Sequence, residues 1–135
     1  MMGRKSYQLF SPVWPSREEF GHYNNLPKYV VSTTLTDEDL ASGWGPSTIL
    51  RSVDEVRAVK ESEGGPIIIH GSVTLNHALA AAGLVDRYNL LVFPLLLGAG
   101  ERLFSDTDKD TQKLKLVDSE VFSNGIQKNI FEVIH

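Results

Sequence analysis

Apolar and polar positions along this chain change period several times, and each change marks an element. Lys28-Tyr29-Val30-Val31-Ser32 is rich in β-branched and aromatic residues and predicts a strand, and Thr48-Ile49-Leu50 predicts a second, shorter one. Ser52-Val53-Asp54-Glu55 has the S-x-x-E form of a capping box, and Val53, Val56 and Val59 then recur at helical spacing. That helix is expected to end at Gly64-Gly65, with Pro66 leading out. Ile67-Ile68-Ile69 does not alternate, as in strands covered on both faces of a parallel sheet. A helix follows from about Thr74 to Ala82, with Leu75, Ala78, Leu79 and Ala82 on one face and Gly83 as its C′ residue. Arg87 to Phe93 is another strand. Lys113 to Phe122 and Ile126 to Ile134 are β-like stretches joined at Asn124-Gly125, a strong hairpin signal.

The first thirty residues are less regular. A short helix from Ser6 to Phe10 is stopped by Pro12, and a second helical piece, Arg17 to Tyr23, takes Ser16 as its N-cap. Thr36 to Ser47, Leu97 to Gly100 and the acidic Ser105 to Thr111 read as loops or turns. Alternation of strand and helix implies a three-layer α/β fold with a mostly parallel sheet and an antiparallel C-terminal hairpin, in one domain over residues 1–135.

Composition narrows the function more than the fold. With 41% hydrophobic and 22% charged residues, wholesale disorder is excluded. A net charge of −4 argues against a broad nucleic-acid-binding face. The chain has no cysteine, which removes disulfides, thiolate metal sites and cysteine nucleophiles. No apolar run reaches the roughly 18–20 residues of a membrane span, and Leu90 to Leu97 is broken by Pro94. Met1-Met2-Gly3-Arg4-Lys5 lacks the apolar core of a signal peptide, so a soluble cytoplasmic protein acting on a small molecule is expected.

Three segments could hold an anion. Pro66 to Leu75 combines an apolar strand, a glycine turn and a helix start, whose free amides and partial positive charge suit a phosphate. There Gly71 admits a ligand to the backbone, and Ser72 and Thr74 offer hydroxyls; plain helix capping is the competing reading. Gly3-Arg4-Lys5-Ser6 repeats the logic with a guanidinium, against the alternative of a solvated basic terminus. Ser32-Thr33-Thr34 closes a strand, where ligands gather in open α/β sheets and where hydroxyls also simply cap strand ends. The histidines His22, His70, His77 and His135 have no metal-ligand spacing, and His70 reads as a partly buried structural residue. No Ser-His-Asp signature points to hydrolysis.

Taken in order, Gly3-Arg4-Lys5-Ser6-Tyr7, Lys28 to Ser32, Gly64-Gly65 with Ile67 to Leu75, Gly83-Leu84-Val85-Asp86, Pro94 with Leu97-Gly98-Ala99-Gly100, and Leu103-Phe104 resemble the dihydrofolate reductase-like superfamily. Within it, the chain most resembles the C-terminal reductase domain of the bifunctional riboflavin-biosynthesis deaminase/reductase. The resemblance implies an NADPH-dependent oxidoreductase, with NADH as the alternative cofactor, acting on a small heterocyclic substrate that carries phosphate in the riboflavin case. It places Gly3, Arg4, Lys5, Ser6, Ser32 and Thr33 on the adenosine and phosphate half of the cofactor. It places Gly71, Ser72, Val73, Thr74 and Leu75 on the pyrophosphate, and Pro94, Leu97, Gly98 and Gly100 on the substrate side.

The chain departs from the family in two places. Relatives open with a strand, loop and helix before the Gly-Arg motif, so Met1 reads as an internal methionine. At Thr33 relatives often carry an arginine for the 2′-phosphate. Losing a central strand would leave unpaired ladder groups unless Ile67–His70 pairs with Arg87–Phe93 or another chain fills the gap, so a homodimer is expected. A non-catalytic nucleotide-binding remnant of such a reductase, and a generic phosphate-ligand module, are the competing functional readings.

Overall fold

The computed structural model describes residues 1–105 and 111–135; the middle of the expected acidic loop at Ser105 to Thr111 lies outside the described residues. Two compact units divide the chain, Met1–Ala78 and Leu79–His135. The first holds a parallel sheet and the second an antiparallel one, within the expected α/β class.

In the first unit, strand β1 (Met2–Gly3) leads directly into helix α1 (Arg4–Phe10). Strands β2 (Lys28–Val31) and β3 (Ser47–Leu50) follow, and the sheet order is β1-β2-β3. Met2 pairs with Val30 and Gly3 with Val31, while Val31 pairs with Leu50. This register puts the carboxyl ends of all three strands side by side. Val30, fully buried, sits at the centre with Met2, Tyr7, Leu35 and Trp44. The sequence pattern between Thr36 and Ser47 is polar, yet the loop carries the most deeply buried large side chain. Trp44 packs at 5.6 Å from Tyr7, and its Nε1 donates to Asn24 Oδ1 at 3.0 Å. The Tyr7 hydroxyl accepts from Ala41 N at 2.7 Å, tying the same loop to α1.

The segment between α1 and β2 differs from expectation. Instead of one helix from Arg17 to Tyr23, there are two single 3₁₀ turns, Trp14–Ser16 and Glu18–Phe20, and a short helix α2 (Gly21–Asn24). Ser16 caps nothing; its Oγ donates to Val13 O at 3.0 Å. Aromatic packing overrides local propensity here, with Trp14 stacked between Phe10 at 4.5 Å and Phe20 at 4.4 Å.

Helix α3 (Val53–Glu61) opens as the capping box requires: Ser52 Oγ accepts from Glu55 N at 3.2 Å. The Glu55 carboxylate reaches one residue further back than the motif implies and accepts from Arg51 N. Val56 faces the core. The helix ends at Glu61, before Gly64-Gly65, because Ser62 turns its hydroxyl onto Val59 O at 2.6 Å. Ile67-Ile68-Ile69 is not a ladder strand, which corrects the expectation from its apolar run. Ile67 and Ile68 are exposed, and the Met1 amino group donates to Ile68 O at 2.7 Å.

Helix α4 (Val73–Ala81) begins in the first unit and ends in the second, with Leu75 and Leu79 buried. Gly83, at φ +69, closes it as expected: Gly83 N meets Ala80 O at 3.0 Å and Leu84 N meets Leu79 O at 2.9 Å, a Schellman pair.

In the second unit, β4 (Arg87–Val92), β5 (Lys113–Val121) and β6 (Gln127–Ile134) form a sheet of order β4-β6-β5, antiparallel throughout. The hairpin at Asn124-Gly125 is a three-residue loop: Gly125, at φ +86, donates to Phe122 O, and Phe122 N donates to Ile126 O, both at 2.9 Å. β5 is studded with Lys113, Lys115, Asp118 and Glu120, of which the last two flank Lys128 at 3.5 and 3.2 Å. Those acids raise the Lys128 pKa, chiefly through the Glu120 hydrogen bond. Such charges protect an edge from pairing.

Candidate functional site

Glycine and serine bring two distant turns together. Gly3 closes β1, and its amide donates to Ser72 Oγ at 2.9 Å. Ser72 Oγ in turn donates to Ser6 Oγ, in the first turn of α1, at 2.8 Å. Residues separated by nearly seventy positions thus share one hydroxyl. The turn at Gly71-Ser72 is left-handed at both residues, φ +62 and +63, and Ser72 is the sole non-glycine with positive φ among the described residues. Asn76 holds it in place, its side-chain amide donating to Gly71 O at 2.7 Å.

That geometry bears on the capping reading of Ser72. An N-cap serine is extended and accepts from the helix's own second or third amide. Ser72 is neither extended nor turned onto α4, because its oxygen already accepts from Gly3 N. The first ladder bond of α4 is Asn76 N to Ser72 O at 2.9 Å, so the amides of Val73, Thr74 and Leu75 precede any helix carbonyl they could meet. Gly3 at the head of α1 likewise supplies no side-chain cap. The starts of α1, which has no side-chain cap, and of α4 are therefore tied together through one hydroxyl, an arrangement suited to a pyrophosphate. Gly71 leaves the approach open: a Cβ there would meet only Ser6 Oγ, at 3.6 Å.

The remaining sequence candidates divide. Arg4, Lys5 and Thr74 are exposed beside these turns, whereas Ser6 is buried and its hydroxyl is engaged with Ser72. Ser32 extends the β2–β3 pairing through its amide to Leu50 O at 2.9 Å. Its buried hydroxyl accepts from Leu35 N at 3.0 Å and Thr34 N at 3.2 Å and lies 3.4 Å from Thr34 Oγ1, so it shapes the turn on which Thr33 and Thr34 are exposed. Pro94, Leu97, Gly98 and Gly100 belong to the second unit. There Leu97 to Arg102 line an open hollow of 380 Å³, and Pro94 Cγ lies 3.4 Å from the Cβ position of Gly125 on the hairpin.

Sequence reasoning passed over several residues. Asn76 looked like an ordinary helix residue, and nothing in its spacing marks the bond to Gly71. Lys28 opens β2 yet is buried, donating to Tyr23 O, Asn24 O and Leu26 O at 2.8, 3.0 and 2.8 Å and lying 4.9 Å from the Trp44 ring centre. Burial lowers its pKa. Arg51 follows β3 and donates from Nη1 to Ser32 O at 2.9 Å. The one available signal for it was its place at a strand end.

Two groups beside β1 have lowered pKa values. Burial, and then the charge of Lys28, pull the Met1 amino group from its usual 8.0 to about 6. His70 stands edge-on to Trp14 at 5.5 Å and Tyr23 at 5.2 Å, and its Nε2 is buried without a partner. Its pKa is lowered too, by burial first and by the Met1 amino group second. Both groups bind fewer protons folded than unfolded. Their contribution is complete at high pH and is lost as pH falls from about 8 through the folded values. Stability in urea is expected to be lower near pH 5.5 than near pH 8.5 by about 2 kcal/mol. An unfolding midpoint that rises on acidification over that interval would contradict this.

Comparison with known proteins now adds the family. The family model of the RibD C-terminal domain matches residues 1–128. This chain belongs to the RibD C-terminal domain family. It is 30% identical over 138 residues to the uncharacterized protein YyaP of Bacillus subtilis, an alignment covering 97% of this chain and 71% of that one. A solved structure from Shewanella sp. PV-4, assigned to riboflavin biosynthesis, superposes with a TM-score of 0.74 at 22% identity over 99% of this chain and 72% of its own. RibD of Acinetobacter baumannii gives 0.57 at 18% identity over 79% of this chain and 31% of its own. These structural likenesses carry the fold, which is the reductase-domain fold of RibD. Membership fits the riboflavin-pathway, reductase-like character that the ordered motifs implied. Among the described residues no helix is long and apolar enough to cross a membrane.

Proposed function

We propose that the chain is an NADPH-dependent reductase of the riboflavin-biosynthesis type, acting on a small heterocyclic substrate, phosphorylated in the riboflavin case. The observation that carries the reading is the meeting of the Gly3–Ser6 and Gly71–Leu75 turns through the Ser72 hydroxyl. The residues fit a dinucleotide: the starts of α1 and α4 meet through the Ser72 hydroxyl, and Gly71 leaves room beside Ser6. Val73, Thr74 and Leu75 would hold the pyrophosphate, with Arg4 and Lys5 as nearby cations. Ser32 would set the turn that offers Thr33 and Thr34 to the adenosine half. When bound, the cofactor supplies a hydride; the protein's task is to fix its orientation. Pro94, Leu97, Gly98 and Gly100 would border the substrate. A cytoplasmic location would suit work on a soluble nicotinamide cofactor.

Calorimetry with NADPH tests the reading. Saturable binding, with NADPH oxidised in the presence of a ribosylaminopyrimidine, is the expected result. No heat at millimolar cofactor would overturn it. Binding with no turnover on any pyrimidine would instead favour a non-catalytic nucleotide-binding relative.

We further propose that the protein is a homodimer paired through β4. Val133 N donates to Asp86 O, so Arg87, Asn89 and Leu91 turn their amides and carbonyls away from β6. This edge is apolar and exposed at Leu91, Val92 and Phe93 and carries one charge, Arg87, in contrast to the charged β5 edge. Antiparallel pairing with a second β4 sets Arg87 opposite Phe93 and brings no like charges together. Light scattering is expected to give a dimer, and Asn89→Pro, which removes an outward amide and spares the β4–β6 ladder, a folded monomer. A monomeric wild type would refute the assembly.

A further inference from the structure

We propose that Arg51 selects a 2′-phosphorylated dinucleotide over an unphosphorylated one, supplying from β3 the cation that Thr33 lacks on β2. The inference rests on the nucleotide reading above.

The parallel register makes the placement unavoidable. Val31 pairs with Leu50, so the next residues, Ser32 and Arg51, emerge side by side at the carboxyl end of the sheet. Ser32 N bonds Leu50 O, and Arg51 Nη1 returns across the strand gap to Ser32 O at 2.9 Å. The guanidinium is thereby held directly before Thr33, on a turn that the Ser32 hydroxyl fixes through the amides of Thr34 and Leu35. Arg51, Thr33 and Thr34 are all exposed.

The way Arg51 is held leaves its charge available. Its partner at Ser32 is a neutral carbonyl, so one donor is used and the cation is not neutralised. The neighbouring carboxylate, Glu55, is turned onto the Arg51 main-chain amide at the start of α3. A guanidinium has five donors in a planar fork, a shape that grips a phosphate through two parallel bonds. Thr33, exposed and next in the chain after Ser32, would add a neutral donor. A ribose 2′-hydroxyl in the same place would gain little from a cation, so the preference falls on the phosphate alone.

Calorimetric titration of the full chain with NADPH, NADH and adenosine 2′,5′-bisphosphate tests this, on the wild type, Arg51→Gln and Arg51→Lys. Arg51→Gln is expected to weaken NADPH and the bisphosphate by about 10- to 100-fold, the weight of charged hydrogen bonds, while NADH changes less than about twofold. Arg51→Lys should recover part of the loss, since the charge returns without the fork. Equal weakening of NADPH and NADH, or NADPH binding that ignores the substitution, would overturn the assignment. Failure of the wild type to bind either dinucleotide would overturn the nucleotide reading together with it. Wild-type binding of both dinucleotides with no 2′-phosphate effect would remove the role of Arg51 alone. Unchanged circular dichroism and urea midpoint identify a variant whose fold is intact.

Discussion

Replacing Lys28 by methionine is expected to lower the stability of the first unit by about 3–5 kcal/mol, the range in which a buried polar network loses its centre. The ammonium meets three carbonyls, those of Tyr23, Asn24 and Leu26, at the end of α2. Methionine fills the stem's volume and takes the ammonium from Asn24 O and Leu26 O, while Tyr23 O keeps only its backbone donors, Asn25 N and Leu26 N. It also removes the cation from the Trp44 ring, whose indole is anchored by Asn24 in the same cage. Gly45 completes the enclosure. At φ +67 it suits glycine, and a Cβ there would lie 2.5 Å from Asn24 O and 3.0 Å from Lys28 Nζ. Gly45→Ala should therefore destabilise through the same contacts, and the double variant should lose less than the sum of the two. Both tryptophans of the chain, Trp14 and Trp44, lie in the first unit, so their fluorescence reports its urea midpoint directly. A midpoint unchanged in Lys28→Met would show the ammonium to be dispensable and the cage to close without it.

This cage shows where sequence reasoning runs out. The strands at Lys28–Val31, Ser47–Leu50 and Arg87–Val92, helices α3 and α4, and the C-terminal hairpin were legible because each is written in a local period or a turn dipeptide. The helical piece after Pro15 differs because Trp14 stacks on Phe20 and packs tilted against Tyr23, contacts among aromatic rings that no helical period encodes. Ile67–Ile69 differs for another reason: an apolar run implies cover on both faces, yet Ile67 and Ile68 are exposed and the stretch has no ladder neighbour in register. Of the candidate site, Gly3, Ser6, Gly71 and Ser72 stand out in the sequence by their motifs. Their mutual hydrogen bonds did not, since a contact across nearly seventy residues leaves no local trace. Lys28 and Arg51 belong to the same class. A single cation at the start or end of a strand looks like solvated surface until the neighbouring carbonyls are placed.

Gly71→Val is expected to weaken NADPH binding by at least tenfold and to cost about 2–3 kcal/mol of stability, because a β-branched residue is strained at φ +62. The strain would spread, since Ser72 is left-handed as well and depends on this turn to present its hydroxyl to Gly3 and Ser6. Relaxing the turn swings that oxygen away, and the two helix starts lose their common link. Two milder variants separate the causes. Ser72→Gly keeps the left-handed backbone and deletes the hydroxyl, leaving the Gly3 amide without its acceptor at a cost of about 1–3 kcal/mol. Asn76→Ala keeps Gly71 and Ser72 and removes only the brace on the Gly71 carbonyl. If the shared hydroxyl organises the cofactor site, affinity should fall in Ser72→Gly nearly as far as in Gly71→Val, and only slightly in Asn76→Ala. Should Ser72→Gly bind NADPH as the wild type does, the meeting of the two turns is structural alone. The amides of α4 would then have to hold the pyrophosphate without help from α1.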